Sequence, residues 1–292
     1  MTFKRYFFAL FALFAFALGV GAQSRGPQLV VPNYQKIPAP AERDTSGYDE
    51  RPYFILIDQS EKALAENDYE AAALRLVEAM GVEPDNPLNV ALMSNLGMIY
   101  FYDGKDSLAL KCLDEVVRRS PGLIAGHENR GQVLAAIGRD KEAYAEYGTV
   151  ISLDSLNTNS RFYHGMMALY MGDLNTAGDD FAILESVVPL ARTTYLAMGT
   201  LYALTSREAE AIPYLRKLVD IDPQAEYSSM LAQCYLVTDR LAEASDVLAK
   251  AIDRYPSEPQ LYLLRARLHR ARYEMDAAAA DEALARKLQT GR

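Results

Sequence analysis

The chain has 292 residues, two cysteines and no tryptophan, with 30 Lys and Arg against 39 Asp and Glu and a formal charge of −9. Half of its residues are apolar and 24% are charged, the composition of a folded globular protein and not of a disordered tail or a disulfide scaffold. The acidic balance argues against a nucleic-acid or anionic-membrane partner, because such a chain repels phosphate.

Lys4 and Arg5 precede an apolar run from Phe7 to Val20 that only Gly19 interrupts, and Val20-Gly21-Ala22 supplies the small residues a signal peptidase requires. The segment reads as a secretory signal peptide, residues 1–22, cut after Ala22. A retained anchor is the alternative, but the run falls short of the roughly 20 residues that span a bilayer. No cysteine adjoins the cut, so no lipid attachment is expected there. Residues 23–52 hold five of the thirteen prolines and read as an extended Pro-rich leader.

From residue 53 the chain repeats. Gly97, Gly131, Gly165 and Gly199 stand 34 residues apart, and Gly104, Gly138 and Gly172 keep the same interval. Ala72, Ala109, Ala143, Ala177, Ala211, Ala244 and Ala278 follow the same period to within a few residues. Pro84, Pro121, Pro189, Pro223 and Pro256 close most units. Three registers on one period mean stacked structural units. Within a unit the apolar residues fall at helical spacing, as in Met93, Leu96 and Tyr100, then Leu108, Leu113 and Val116, with Gly104 breaking the two runs. Each unit is therefore expected to be two helices. A glycine inside a helix costs about 1 kcal/mol against alanine. Glycines in register therefore predict close helix contact, with the glycine of the first helix facing the alanine of the second.

This pattern resembles the tetratricopeptide repeat, a 34-residue helix–turn–helix. Met93-x₂-Leu96-Gly97-x₂-Tyr100…Ala109-x₃-Leu113…Pro121 and Tyr195-x₂-Met198-Gly199-x₂-Tyr202…Ala211-x₃-Leu215…Pro223 carry the likeness, and His164-Gly165…Ala177-x₃-Phe181…Pro189 carries it in part. The resemblance implies an all-α, right-handed superhelical solenoid of about seven repeats. Their expected bounds are 53–86, 90–123, 124–157, 158–191, 192–224, 225–258 and 259–292. Ser60, Ala232 and Ala266 replace the packing glycine, all still small; Ser155 replaces a closing proline, and the seventh unit lacks one. Cys112 and Cys234 fall in the second and sixth units, too far apart in such a stack for the roughly 7 Å that a disulfide allows, so both are expected as free thiols.

Motifs for chemistry are sparse. His127, His164 and His269 sit in three different repeats at packing positions and read as packed histidines. Asp173 to Gly178 echoes the start of a calcium loop, but Ala177 and Leu184 occupy positions that need oxygen ligands. No catalytic residue, metal or cofactor is expected.

The resemblance implies instead that the first helix of each unit lines a concave groove. Its positions hold Met98, Phe101 and Tyr102 in the second unit; Glu128 and Gln132, with Ala125, Ala135 and Ala136, in the third; and Phe162, Met166, Leu169 and Tyr170 in the fourth. Two aromatic walls would flank a small-residue floor suited to an apolar or aromatic guest side chain. Asn95 and Asn129 occupy a position from which the family's asparagines can hold a peptide backbone. The alternatives are plain packing on the next unit, or occupation of the groove by the leader. The charged clamp of family members that bind chaperone tails is absent, its positions being Ile57, Ala125 and Asn129. Residues 250–292 hold nine basic residues against six acidic ones, and Arg267 and Arg270 fall on groove positions where an acidic partner segment could meet them.

The expected function is a non-enzymatic adaptor that binds a polypeptide segment in the cell envelope; the expected location is the periplasm, with secretion as the alternative, and no membrane span is expected after cleavage. A structural or assembly subunit of an envelope or secretion complex and a docking subunit of an enzyme are the alternatives. Partner identity and oligomeric state are not legible.

Overall fold

The computed structural model describes residues 51–290. The expected signal peptide and nearly all of the expected leader lie outside the described residues. Fourteen α-helices follow one another: α1 Pro52–Ala65, α2 Tyr69–Val82, α3 Asn89–Tyr102, α4 Asp106–Arg119, α5 Ile124–Ala136, α6 Asp140–Leu153, α7 Thr158–Met171, α8 Leu174–Val187, α9 Arg192–Leu204, α10 Glu208–Ile221, α11 Ala225–Val237, α12 Leu241–Arg254, α13 Pro259–Ala271 and α14 Met275–Thr290. No strand occurs among the described residues. The chain divides into two compact units at residues 167 and 168, inside α7.

The helices pair as hairpins, and one turn joins each pair. Its central residue has positive φ in all seven: Asn67, Gly104, Gly138, Gly172, Ser206, Asp239 and Tyr273, between 57° and 82°. Each turn also closes with an N–H that reaches back five residues, as from Lys105 to the Tyr100 carbonyl and from Arg240 to the Tyr235 carbonyl, both 2.8 Å. This is the cap that satisfies the last carbonyls of a helix, and it requires a left-handed residue. Glycine takes that conformation without cost; a tyrosine does not.

The two helices of a hairpin differ in pattern because they differ in surroundings. The second helices bury one stripe, as Ala109, Leu113 and Val116 do in α4. The first helices are buried over much of their circumference, α3 at Asn89, Leu92 and continuously from Ser94 to Ile99. A helix covered on several sides reads as apolar all round, a one-faced helix as amphipathic.

In the hairpins that carry it, the glycine register marks the crossing of the two helices. A Cβ on Gly97 would lie 2.8 Å from Leu113 Cγ and 3.3 Å from the Ala109 carbonyl oxygen. On Gly131 it would meet Tyr147 Cζ at 3.1 Å, and on Gly199 Leu215 Cδ2 at 2.7 Å. The closest neighbour is thus the bulky residue four places after the alanine, and not the alanine itself. The alanine keeps the backbones close, and the bulky side chain fills the hollow that the glycine leaves.

In the first unit the core runs from Tyr53, Ile57 and Leu76 through Leu92, Leu96 and Ile99, and a further cluster joins Met98, Leu113 and Val133. In the second unit Leu196, Leu215, Leu218, Leu231, Leu248, Leu261 and Leu264 are buried. The slot filled by Leu113, Tyr147, Phe181, Leu215 and Leu248 is taken in α14 by Glu282, which pairs with Arg270.

Candidate functional site

Within each unit consecutive first helices also touch, α3 with α5 in the first and α11 with α13 in the second. Hairpins that approach through their first helices close toward that side, so the first helices line the inner face of each unit. A polar seam stitches them together. In the first unit the Tyr53 hydroxyl donates to Asn89 Oδ1 at 2.9 Å, and Asn129 Nδ2 donates to Ser94 Oγ at 3.0 Å. Asn159 Nδ2 and Ser160 Oγ donate to Glu128 Oε1 at 3.3 and 3.2 Å. In the second unit Arg267 bonds Gln233, the residue at the same register one hairpin earlier.

The expected groove residues separate into two sets. Asn95, Met98, Glu128, Asn129, Phe162, Met166 and Leu169 are buried, none more than 7% exposed. They form the seam and the core beneath the inner face. Phe101, Tyr102, Gln132 and Tyr170 are half-buried and carry the accessible surface; Tyr170 and Leu169 belong to the second unit. Arg267 and Arg270 are exposed in the second unit, with Arg270 held by Glu282.

At the first unit's inner face three rings gather. Tyr69 stacks on Tyr102, centroids 6.3 Å apart at 25°, and Phe101 leans against Tyr102 at 5.5 Å. Burial pushes the Tyr102 phenol above its ordinary value, opposed by the nearby Gln132 side chain and reinforced by Tyr69. Gln132 lies beside the hydroxyl, yet no hydrogen bond of ordinary geometry closes, and the hydroxyl has no partner. Asn129 Oδ1 likewise has none. Leaving a buried acceptor unmade costs about 1–3 kcal/mol. Tyr69 is absent from the sequence-derived set. Its signal is an aromatic residue at the start of α2, the slot that holds Asp106, Asp140 and Glu208 in other hairpins.

The histidines serve packing. His127 Nδ1 lies 2.6 Å from Glu146 Oε2 and its Nε2 3.0 Å from the Pro121 carbonyl, while Arg130 bridges Glu146 and Asp114. His164 stacks on Tyr144 at 4.0 Å, and His269 meets Glu274. The segment resembling a calcium loop is a helix start: Asp173 Oδ1 accepts from the Thr176 N–H and caps α8. Both cysteines are free thiols, and burial pushes Cys234 up to about 12. An open cavity of about 800 Å³ lies in the second unit among Arg216, Asp220, Tyr235, Arg240, Glu243 and Lys250. None of the expected site residues lines it, and its charges are partly matched, Arg240 by Glu243 and Lys250 by Asp246.

The family model for the tetratricopeptide repeat matches residues 206–268. A solved tetratricopeptide repeat protein from Parabacteroides merdae is 25% identical over 81% of this chain and 93% of that one, with a TM-score of 0.64. The chain has the tetratricopeptide repeat fold, and its residues 206–268 match that family. Two further solved structures share the fold. YrrB, described as a TPR protein with an unusual peptide-binding site, is 16% identical over 62% of this chain and 94% of its own, at a TM-score of 0.54. PilW, described as a type IV pilus biogenesis factor, is 15% identical over 72% of this chain and 96% of its own, at 0.60. Tetratricopeptide repeats serve in general as non-enzymatic scaffolds for protein–protein interaction. No described helix is long and apolar enough to cross a membrane.

Proposed function

We propose that this protein is an exported adaptor that holds a polypeptide segment against the inner face of its first helices. The observation that carries the reading is the ring cluster of Tyr69, Tyr102 and Phe101, half-buried beside Gln132. Rings of this kind supply large contact area at low entropic cost, and the half-buried Gln132 amide supplies a polar handle. The seam below holds the first helices in fixed register, so the site is formed before a guest arrives. The peptide-binding site described for YrrB supports the same use of the fold. The apolar run and the small residues at Val20-Gly21-Ala22 support export, and PilW, as a pilus biogenesis factor, supports a place in the cell envelope.

The test is capture of partners from the native envelope by the chain and by its Phe101→Ala, Tyr102→Ala, Tyr170→Ala triple variant. Loss of the captured protein while the far-UV CD spectrum stays helical supports the groove. Unchanged capture by the triple variant moves the contact elsewhere.

A further inference from the structure

The inner face of the first unit is short of cations. At the inward register positions of α1, α3 and α5 there is no Lys or Arg, whereas Asp58 and Glu61 are both there, and no ion pair holds either among the described residues. Lys105, in the turn between α3 and α4, is taken by Asp103 at 2.6 Å. Across residues 52–167 ten Lys and Arg face seventeen Asp and Glu. No cation lies over the Tyr102 or Phe101 ring among the described residues. Elsewhere the chain covers such rings itself, with Arg51 4.5 Å above Phe54 in the first unit, and Arg207 4.3 Å above Tyr202 and Arg240 4.8 Å above Tyr235 in the second. A face with two unpaired carboxylates and half-buried rings that no cation of the chain covers lacks one thing, a cationic donor.

We propose that the first unit's inner face recognises a basic polypeptide segment, one Lys or Arg of which lies over the Tyr102 and Phe101 rings while neighbouring basic residues meet Asp58 and Glu61. The inference rests on the groove reading and gives that groove its partner chemistry. It is opposite in sign to an acidic or carboxylate-terminal guest, for which this face offers no counter-charge.

Fluorescence anisotropy of the purified chain with three labelled twelve-residue peptides tests it: one rich in Lys and Tyr, one with each Lys replaced by Gln, and one with each Lys replaced by Glu. The basic peptide is expected to bind best, the acidic one not measurably, and the basic one's affinity is expected to fall as salt rises. The Asp58→Asn, Glu61→Gln double variant is expected to weaken the basic peptide about fivefold and to flatten its salt dependence. Neutralising Glu78 and Asp85, which lie off this face, is expected to leave it unchanged. Tyr102→Leu is expected to weaken it with the salt slope retained. Equal binding of the Lys and Gln peptides, both lost in Tyr102→Leu, overturns the charge preference and leaves the groove standing. Binding of the basic peptide that responds equally to both pairs of neutralisations overturns the proposal as general attraction to an acidic protein. Absence of binding by all three peptides overturns the proposal, and unchanged envelope capture by the triple variant then removes the groove as well.

Discussion

Replacing Gly199 by alanine sets two effects of opposite sign against each other. In a helix interior the change gains about 1 kcal/mol from propensity. At this crossing the new Cβ would sit 2.7 Å from Leu215 Cδ2 and 3.0 Å from its Cγ, and the leucine is fully buried. Overpacking of that kind costs about 1–3 kcal/mol, so the net change is a destabilisation of about 1 kcal/mol. Gly178 in α8 is the control, because nothing lies within 4 Å of a Cβ built there. Gly178→Ala is expected to stabilise by about 0.5–1 kcal/mol. Urea unfolding followed by far-UV CD compares the two, with midpoints taken as the measure because repeat arrays depart from two-state behaviour. Trimming the partner in Gly199→Ala, Leu215→Val should recover part of the loss relative to the sum of the single changes. If Gly199→Ala raises the midpoint as much as Gly178→Ala does, the glycine register is not a packing requirement and the account of the crossings fails.

Tyr273 holds a left-handed conformation at φ 64° while its side chain is 87% exposed, so little packing opposes its replacement. Tyr273→Gly is expected to raise the unfolding midpoint by relieving about 1 kcal/mol of strain, where the same glycine at a position of negative φ would lower it. Cys234 is buried with its thiol pushed up to about 12, and Cys112 is less covered. A thiol reagent at pH 8 is therefore expected to label Cys112 first and Cys234 only on the timescale of unfolding. Equal rates at the two sites would contradict the burial of α11.

The repeat was legible because its spacing is enforced by geometry. At Gly97, Gly131 and Gly199 a Cβ would press on the bulky second-helix residue that crosses there, and the other hairpins keep a small residue at that place, so the constraint leaves a mark at a fixed interval. The turn was only half legible. Gly104, Gly138 and Gly172 announced it, and Asn67 and Asp239 are residue types that visit the left-handed region, but Ser206 and Tyr273 take the same backbone conformation with side chains that do not signal it, because the five-residue hydrogen bond holds them there. The face of each helix was legible from periodicity, the depth of each residue was not. Met98 and Asn129 stand at inward positions, yet Val133 packs on the first and Ser94 bonds the second, so both lie beneath the surface they were expected to form. Tyr69 was missed for the converse reason. It sits on a second helix, and only the stacking on Tyr102 brings it to the inner face.

Where a partner touches the chain decides the account. A photo-crosslinking residue at Gln132, on the first unit's inner face, can be compared in intact cells with one at Leu108, exposed on the second helix α4. The account predicts a defined adduct from position 132, lost when Phe101 and Tyr102 are changed to alanine, and none from position 108. An adduct from position 108 with none from 132 would place the partner on the outer face and contradict it.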